Sequence, residues 1–373
     1  MMSGTAIGIK ELLQLCLNRE LNFATYREPG GSIITAIQRS GEVLELNENH
    51  EISEQSGFLI SPYRAYDSCK TMLIQPDVVV RGEEVDSEQF SEIASFCSGT
   101  VGLGQCREFH ESDFDEYVNQ VDRVVAAIEE GRFEKVVLSR IKVVEGDQRE
   151  KLVSMFLRMN EKYPFSFIYM FQAGEHLWIG ATPEILVSIK NEQFHTISLA
   201  ATRMNLPANQ DIARWSSKER QEQQYVTDYI SDLLQRYEID SVEQGETYLR
   251  QASNLLHLCT EFTCRANEIN GKLMPLLRDL HPTPAVCGIP KEDVQDFLME
   301  LEHHERQYYS GFLGPVNIDD EQIALYVNLR CMRVCTDHSR LHIGGGLTSD
   351  SVPEVEWSET VLKAKTILSV LHD

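Results

Sequence analysis

The sequence is poor in basic residues for its length. Among its 373 residues, 34 lysines and arginines stand against 58 aspartates and glutamates, which gives a formal net charge of −24. Such a chain repels phosphate backbones and anionic lipid, which argues against nucleic-acid and membrane partners. It also means that an anionic substrate would need a local cluster of cations or a metal ion.

Long apolar runs, internal repeats and linkers rich in Pro, Gly and Ser are also missing. The N-terminal residues have no basic segment followed by an apolar stretch, so we expect no signal peptide and no membrane span. The nine cysteines are an odd number without Cys-x-x-Cys spacing, and the nearest pair is Cys331 and Cys335. This favours reduced thiols in a cytoplasmic protein over a disulfide framework or a zinc site.

What the sequence does contain is a large apolar fraction, 42% of its residues, arranged in short strands and isolated helices. Apolar periodicity predicts helices at 113–130, 216–237, 291–309 and 355–371. Strands are predicted at 57–60, 71–74, 135–144, 165–171, 176–180, 185–189, 194–200, 323–334 and 340–343. Because the strands come in runs and not in regular βαβ units, we predict an α+β fold with mostly antiparallel sheets flanked by helices.

Two predicted helices carry charged residues on or beside their apolar faces. Glu222 lies four residues before Val226 and shares its face, and Glu359 and Lys363 border the apolar stripe of the last helix. Taken alone, Glu222 is more often a solvated carboxylate, and Glu359 with Lys363 is more often an ordinary i,i+4 surface pair.

Other polar positions are equally ambiguous by themselves. The three glycines at 344–346 could form a flexible turn or a backbone segment that offers N–H donors to an anion. Arg330 falls in a predicted strand, where a buried guanidinium would need a carboxylate partner, unless it lies on a solvated edge. Lys135 and Glu184 stand at strand ends, where plain surface charges are common.

Seven ordered segments form a larger pattern. They are FEKVVLSR at 133–140, ATPE at 181–184, LAATR at 199–203, the glutamate within 218–226, LHPTPA at 280–285, E-R-x-x-Y-x-G-x-x-G at 305–314, and EWSET with its lysine at 356–363. Together they resemble the chorismate-utilising enzymes, the family of anthranilate, aminodeoxychorismate, isochorismate and salicylate synthases. The resemblance extends from residue 133 to the C-terminus.

Two features of the resemblance imply a particular reaction. The loop at 281–285 reads as it does in isochorismate synthases, and Lys135 stands where water-using members carry a lysine. The implied activity is a Mg²⁺-dependent transfer of the ring hydroxyl of chorismate from C4 to C2, with water as nucleophile. A salicylate synthase and a catalytically silent chorismate-binding subunit are the alternatives. The pathway, menaquinone or siderophore biosynthesis, and the oligomeric state stay open.

The resemblance also implies roles for individual residues. Lys135 would be the general base, and Glu184 the general acid with a pKa raised above its free value of about 4.3. Glu222 and Glu359 would hold Mg²⁺. The residues implied in substrate binding are Ala201, Thr202, His257, Ala285, Tyr309, Arg330, Gly344, Gly345, Gly346 and Lys363. For His257, a core histidine with satisfied hydrogen bonds is an equally common alternative.

The chain departs from the family pattern at two positions and over one region. Ala201 stands where the family usually has glycine, and Gln223 where many members have histidine. The N-terminal part matches only loosely. We therefore expect a single chorismate-binding domain over residues 1–373, with a divergent part at about 1–110 and a catalytic part at about 111–373.

Overall fold

The computed structural model describes residues 6–371 except 40, 48–49, 65–68, 98–109, 253–254 and 320–321. Its helices are α1 (Ile9–Asn18), α2 (Ser87–Ala94), α3 (Phe114–Glu129), α4 (Arg149–Lys162), α5 (Ser217–Arg236), α6 (Leu273–Leu280), α7 (Lys291–Leu301) and α8 (Pro353–Leu371). Its strands are β1 (Ile7–Gly8), β2 (Phe23–Arg27), β3 (Ile34–Ile37), β4 (Leu44–Glu45), β5 (Gly57–Ser61), β6 (Met72–Ile74), β7 (Val78–Arg81), β8 (Glu84–Val85), β9 (Lys135–Glu145), β10 (Phe167–Ala173), β11 (His176–Thr182), β12 (Ile185–Lys190), β13 (Gln193–Met204), β14 (Glu243–Gln244), β15 (Tyr248–Ala252), β16 (Leu255–Arg265), β17 (Gly288–Ile289), β18 (Phe312–Val316), β19 (Ile323–Val327), β20 (Cys331–Val334) and β21 (His338–Leu347).

Two large sheets form the centre of the fold. The first has the strand order β17-β9-β21-β20-β11-β10-β2-β3-β7, and the second has the order β14-β16-β13-β12-β19-β18-β5-β6-β4, with β15 paired to β16. Neighbouring strands run antiparallel, as between β9 and β21 and between β13 and β16. Strands from before and after residue 110 take part in both sheets.

Buried apolar clusters show how the layers pack. Aromatic residues such as Tyr26, Phe58 and Tyr169 fill the space between the two sheets. On its outer face the first sheet packs against α1, α4 and α8, and the second packs against α5 and α6. The prediction of an α+β fold with antiparallel sheets flanked by helices is confirmed.

Helix starts follow local capping chemistry. The side chain of Asp113 accepts a hydrogen bond from the amide of Glu116 and caps α3. At the start of α5, Ser216 and Glu219 form a capping box, in which each side chain bonds the other residue's backbone N–H. The starts of α3 and α5 both lie within one residue of the predicted starts, because capping depends on neighbours in sequence.

Two predicted elements were wrong, one at its end and the other in its middle. The helix predicted over 291–309 ends at Leu301, where the Glu302 carboxylate instead accepts hydrogen bonds from the Ser139 amide and the Arg306 guanidinium. The strand predicted over 323–334 is broken between β19 and β20, which belong to different sheets. Arg330 lies in this break with φ of +50°, so it is a crossover residue and not a strand residue.

Helices α1, α2, α4 and α6 were not predicted. Seven of the described cysteines are free, whereas Cys335 is disulfide-bonded, so the prediction of reduced thiols is wrong at that position. The cytoplasmic location inferred from it stays a prediction. None of the described helices is long and apolar enough to cross a membrane.

Candidate active site

A cavity of about 370 Å³ lies where the end of β13, the start of α5, the end of β21 and the middle of α8 meet. Twelve of the fourteen predicted site residues line it. They are Glu184, Ala201, Thr202, Glu222, His257, Ala285, Tyr309, Arg330, Gly344, Gly346, Glu359 and Lys363. The remaining two do not line the cavity: Lys135 lies beside the lining residue Gly346, and Gly345 lies between the lining residues Gly344 and Gly346. The fold thus brings together residues up to 228 positions apart in sequence, Lys135 and Lys363.

Lys135, the first residue of β9, is 1% exposed, so it is not a surface charge. Its Nζ donates a hydrogen bond to Glu222 Oε1 on α5 at 3.1 Å. A Cβ added at Gly346 would lie 3.1 Å from that oxygen and 3.2 Å from Lys135 Cε. Glycine at 346 therefore lets the lysine and the glutamate meet beside the strand backbone.

Glu184 follows β11 and is 7% exposed. Its backbone is anchored, because its carbonyl oxygen accepts a hydrogen bond from the Val327 amide at 2.9 Å. Burial raises the pKa of the Glu184 carboxyl to about 7, against the opposing charges of Lys135 and Arg330. A carboxyl of this kind holds its proton near neutral pH, as a general acid must.

Glu359 and Lys363 form an ion pair on α8, with Nζ and Oε1 2.6 Å apart. Lys363 Nζ also donates to the Gly344 carbonyl oxygen at 2.9 Å, which ties α8 to β21. Burial acts to raise the pKa of Glu359, but the charges of Lys363 and Arg330 outweigh it and hold that pKa below its usual value. The pair faces the cavity, so the surface interpretation is wrong.

The glycine run belongs to β21 and is paired with β9, so it does not form a turn between elements. A Cβ on Gly344 would come within 2.6 Å of Tyr309 Oη. Gly345 points to the other face, where the nearest atoms to an added Cβ are Glu356 Oε2 at 3.7 Å and Tyr117 Oη at 3.8 Å. The run thus permits close approach on the face of Gly344 and Gly346, whereas the face of Gly345 has room for a side chain.

His257 on β16 is buried, and its Nδ1 lies 3.0 Å from the Ala201 carbonyl oxygen and 3.2 Å from Thr202 Oγ1. Burial and the charge of Arg330 lower its pKa to about 3, so the imidazole is neutral. Since Nδ1 donates to the carbonyl, Nε2 is an acceptor, and it has no partner among the described residues. Of the two ring nitrogens of His257, only Nδ1 is therefore hydrogen-bonded to the described residues.

The two departures from the family pattern have different consequences. Ala201 has φ of +56°, a left-handed conformation that glycine adopts freely and alanine adopts at a cost of about 1 kcal/mol. It lies in a bulge between β13 and β16, which directs its carbonyl to His257. Gln223 is buried and donates to Ser198 Oγ at 2.8 Å, so it packs against β13.

Glu356 also lines the cavity but received no role from the sequence. It is 6% exposed, and burial, aided by the charge of Glu359, raises its pKa. The sequence did contain a signal for it, namely its spacing from Glu359, because residues three apart share a helix face. Lys218 and the ion-paired Arg203 and Glu219 at the rim were missed as well.

Comparisons with known proteins assign the chain that forms this cavity to a family. The family model described as "Chorismate binding enzyme" matches residues 83–372. Isochorismate synthase EntC of Escherichia coli (strain K12) is 28% identical over 263 residues, which cover 68% of this chain and 66% of that protein. The vibriobactin-specific isochorismate synthase of Vibrio cholerae is 27% identical over 266 residues, with the same coverage. The match thus spans just under two thirds of these relatives.

Solved structures show the same fold. MenF, the menaquinone-specific isochorismate synthase of Escherichia coli, superposes with a TM-score of 0.76 at 21% identity, covering 96% of this chain and 91% of that one. DhbC of Bacillus anthracis, described as a putative 2,3-dihydroxybenzoate-specific isochorismate synthase, gives 0.75 at 22% identity, covering 97% and 99%. The chain belongs to the chorismate binding enzyme family.

Proposed function

We propose that this chain is an isochorismate synthase, which converts chorismate to isochorismate with water as the nucleophile. One observation carries the proposal. A buried carboxyl with a pKa near neutrality, Glu184, lines a cavity together with Arg330 and Lys363, and a buried amine, Lys135, lies behind the cavity wall, 3.1 Å from the lining residue Glu222. An acid, a base and two cations are what hydroxyl transposition on a dianionic ring requires.

Glu184 acts as the general acid. Hydroxide is a poor leaving group, so the C4 oxygen must receive a proton as its bond to the ring breaks. Because Glu184 keeps its proton up to about pH 7, it can supply that proton under ordinary conditions. Its fixed backbone position after β11 keeps the carboxyl at the cavity wall.

Lys135 acts as the general base toward the attacking water. In the structure its Nζ donates a hydrogen bond to Glu222 Oε1 at 3.1 Å. This bond keeps the amine beside the cavity wall, which Glu222 lines. General acid and general base catalysis each contribute about 10²–10⁴-fold.

Arg330 and Lys363 are proposed to bind the enolpyruvyl carboxylate. The guanidinium of Arg330 forms no hydrogen bond or ion pair with the described part of the chain, so its donors are available to a ligand. A guanidinium fork matches a carboxylate in geometry and charge. Lys363 lies beside the same wall, where it is held by Gly344.

Mg²⁺ is proposed as the cofactor, held by Glu222 and Glu359. Carboxylate oxygens are the ligands that this ion prefers, and the buried Glu356 adds a third carboxylate to the same cavity. Among the described residues these carboxylates do not form a group of three ligand atoms within 4.8 Å. The protein would therefore supply only one or two of the ligands, and water or substrate oxygens would complete the coordination of Mg²⁺. Bound there, Mg²⁺ would neutralise the ring carboxylate of the substrate.

The test is product analysis after purified protein is incubated with chorismate and Mg²⁺. Isochorismate that approaches equilibrium with chorismate from both sides, and that takes up ¹⁸O at C2 from labelled water, supports the proposal. Salicylate with pyruvate would favour a salicylate synthase, an aminated product from ammonium would favour an anthranilate-type enzyme, and no turnover would favour a silent binding subunit. The variant Glu184→Ala serves as the inactive control.

The pathway is a finer proposal. Relatives of this chain carry siderophore-related and menaquinone-related names, as in the vibriobactin-specific synthase and in MenF. We propose that isochorismate from this chain enters menaquinone or siderophore biosynthesis.

A further inference from the structure

Three potential metal ligands meet on the surface outside the cavity. His110 lies just before α3, Glu116 is in the first turn of α3, and His303 lies two residues past the end of α7. His303 Nδ1 is 2.7 Å from Glu116 Oε1, and His110 Nε2 contacts Glu116 Oε2. One atom from each of the three residues lies within 4.8 Å of the other two.

The arrangement differs from an ordinary surface ion pair. Two imidazoles from separate segments approach a single carboxylate, and their ring centroids are 5.5 Å apart. Among the described residues, this is the one group in which three potential ligand atoms of His, Cys, Asp or Glu lie within 4.8 Å of one another. Imidazole nitrogens with one carboxylate oxygen form a ligand set typical of Zn²⁺, and Mg²⁺ prefers oxygen ligands alone.

Exposure is compatible with a three-ligand site. The side chains of His110 and His303 are 45% and 56% exposed, and that of Glu116 is 20% exposed. An ion held by these three residues would keep a position open to water, and exposed side chains can change rotamer to suit the geometry of the ion. We propose that His110, Glu116 and His303 form a binding site for Zn²⁺ or a similar divalent transition-metal ion.

A metal ion at this site would join two elements that support the cavity. Next to Glu116, Tyr117 packs its ring against Trp357 of α8, with centroids 5.6 Å apart. Next to His303, Glu302 is bonded to the amide of Ser139 on β9 at 2.7 Å. The ion would therefore stabilise the folded chain. The site is independent of the proposed catalytic function.

The test is calorimetric titration of Zn²⁺ into the full chain, stripped of metal with chelator and held in excess Mg²⁺ so that carboxylate sites are occupied. We expect one Zn²⁺ per chain and a rise in the thermal midpoint. His303→Asn and His110→Asn should each weaken binding at least about tenfold, since each removes one of three ligands. The matched control is His195→Asn, because His195 pairs with a single carboxylate, Glu261, at 3.7 Å.

Co²⁺ supplies a second measurement. It should give visible d–d absorption in the wild type that is lost in His303→Asn and kept in His195→Asn, with circular dichroism confirming that each variant is folded. Absence of Zn²⁺ binding to the wild type would overturn the proposal. Equal affinity in the wild type and His303→Asn would overturn it too, because the ion would then be bound elsewhere.

Discussion

Replacing Glu184 with glutamine should make the protein more stable and less active, with a pH dependence that can be worked out from the structure. Glutamine has nearly the same shape but does not ionise. Burial raises the pKa of Glu184 from 4.5 to about 7 in the folded chain. The folded state therefore binds this proton more tightly than the unfolded state does, and the wild type loses stability relative to the variant as the pH rises between these two values.

The magnitude follows from the size of the shift. A difference of one pKa unit corresponds to about 1.36 kcal/mol, so the full shift corresponds to about 3 kcal/mol once the carboxyl is ionised in both states. The stability advantage of Glu184→Gln should therefore grow by roughly 2–3 kcal/mol between pH 5 and pH 8 and level off above it. Other effects of the substitution are expected to change the free energy of unfolding by an amount that does not depend on pH.

The assay is urea unfolding of wild type and Glu184→Gln at pH 5 and pH 8. The matched control is Glu150→Gln on α4, an exposed position where the same substitution removes no buried carboxyl. A stability difference for Glu184→Gln that stays constant over this range would refute the raised pKa and with it the general-acid argument. Turnover by the variant should fall by about 10²–10⁴-fold, and wild-type turnover should fall as the pH rises through about 7.

Three further predictions concern the rest of the cavity. Lys135→Ala should lower turnover by about 10²–10⁴-fold, while calorimetry shows a chorismate Kd changed by less than about tenfold, or ~1.4 kcal/mol; unchanged turnover would exclude Lys135 as the base. Glu359→Gln should raise the Mg²⁺ concentration that gives half-maximal activity, and an unaltered Mg²⁺ titration would remove this residue from the proposed Mg²⁺ site. Gly344→Ala brings a Cβ to 2.6 Å from Tyr309 Oη and should cost about 1–3 kcal/mol in urea unfolding. Gly345→Ala, whose nearest contact is 3.7 Å, should cost much less, and equal losses would contradict the steric argument.

Only the tertiary structure shows whether each charged residue lies on the surface or at the cavity. Spacing along a helix shows that Glu222 shares a face with Val226, but not that a lysine 87 residues earlier lies 3.1 Å away. That contact depends on the pairing of β9 with β21 and on the missing side chain of Gly346. Neither can be read from hydrophobic periodicity, because periodicity reports neighbours within one element.

Long-range contacts also explain the errors. The apolar run at 323–334 reads as one strand, yet it crosses from one sheet to the other at Arg330, and only the position of both sheets requires φ of +50° there. The helix predicted over 291–309 ends at Leu301, because Glu302 and Arg306 bond to each other and to backbone on β9 or near it. Local propensity does not contain these partners.

What the sequence determined by itself is the set of features that depend on near neighbours and on chemical type. Helices α3 and α5 begin at their capping residues, β9 begins at Lys135, and the ordered motifs supply the candidates for the acid, the base and the metal-binding carboxylates by residue type. The tertiary structure alone decided which of these groups are buried together. It holds Glu184 away from water, places Arg330 at the crossover of the sheets and leaves Nε2 of His257 without a partner among the described residues, because burial and charge proximity arise only when distant segments pack.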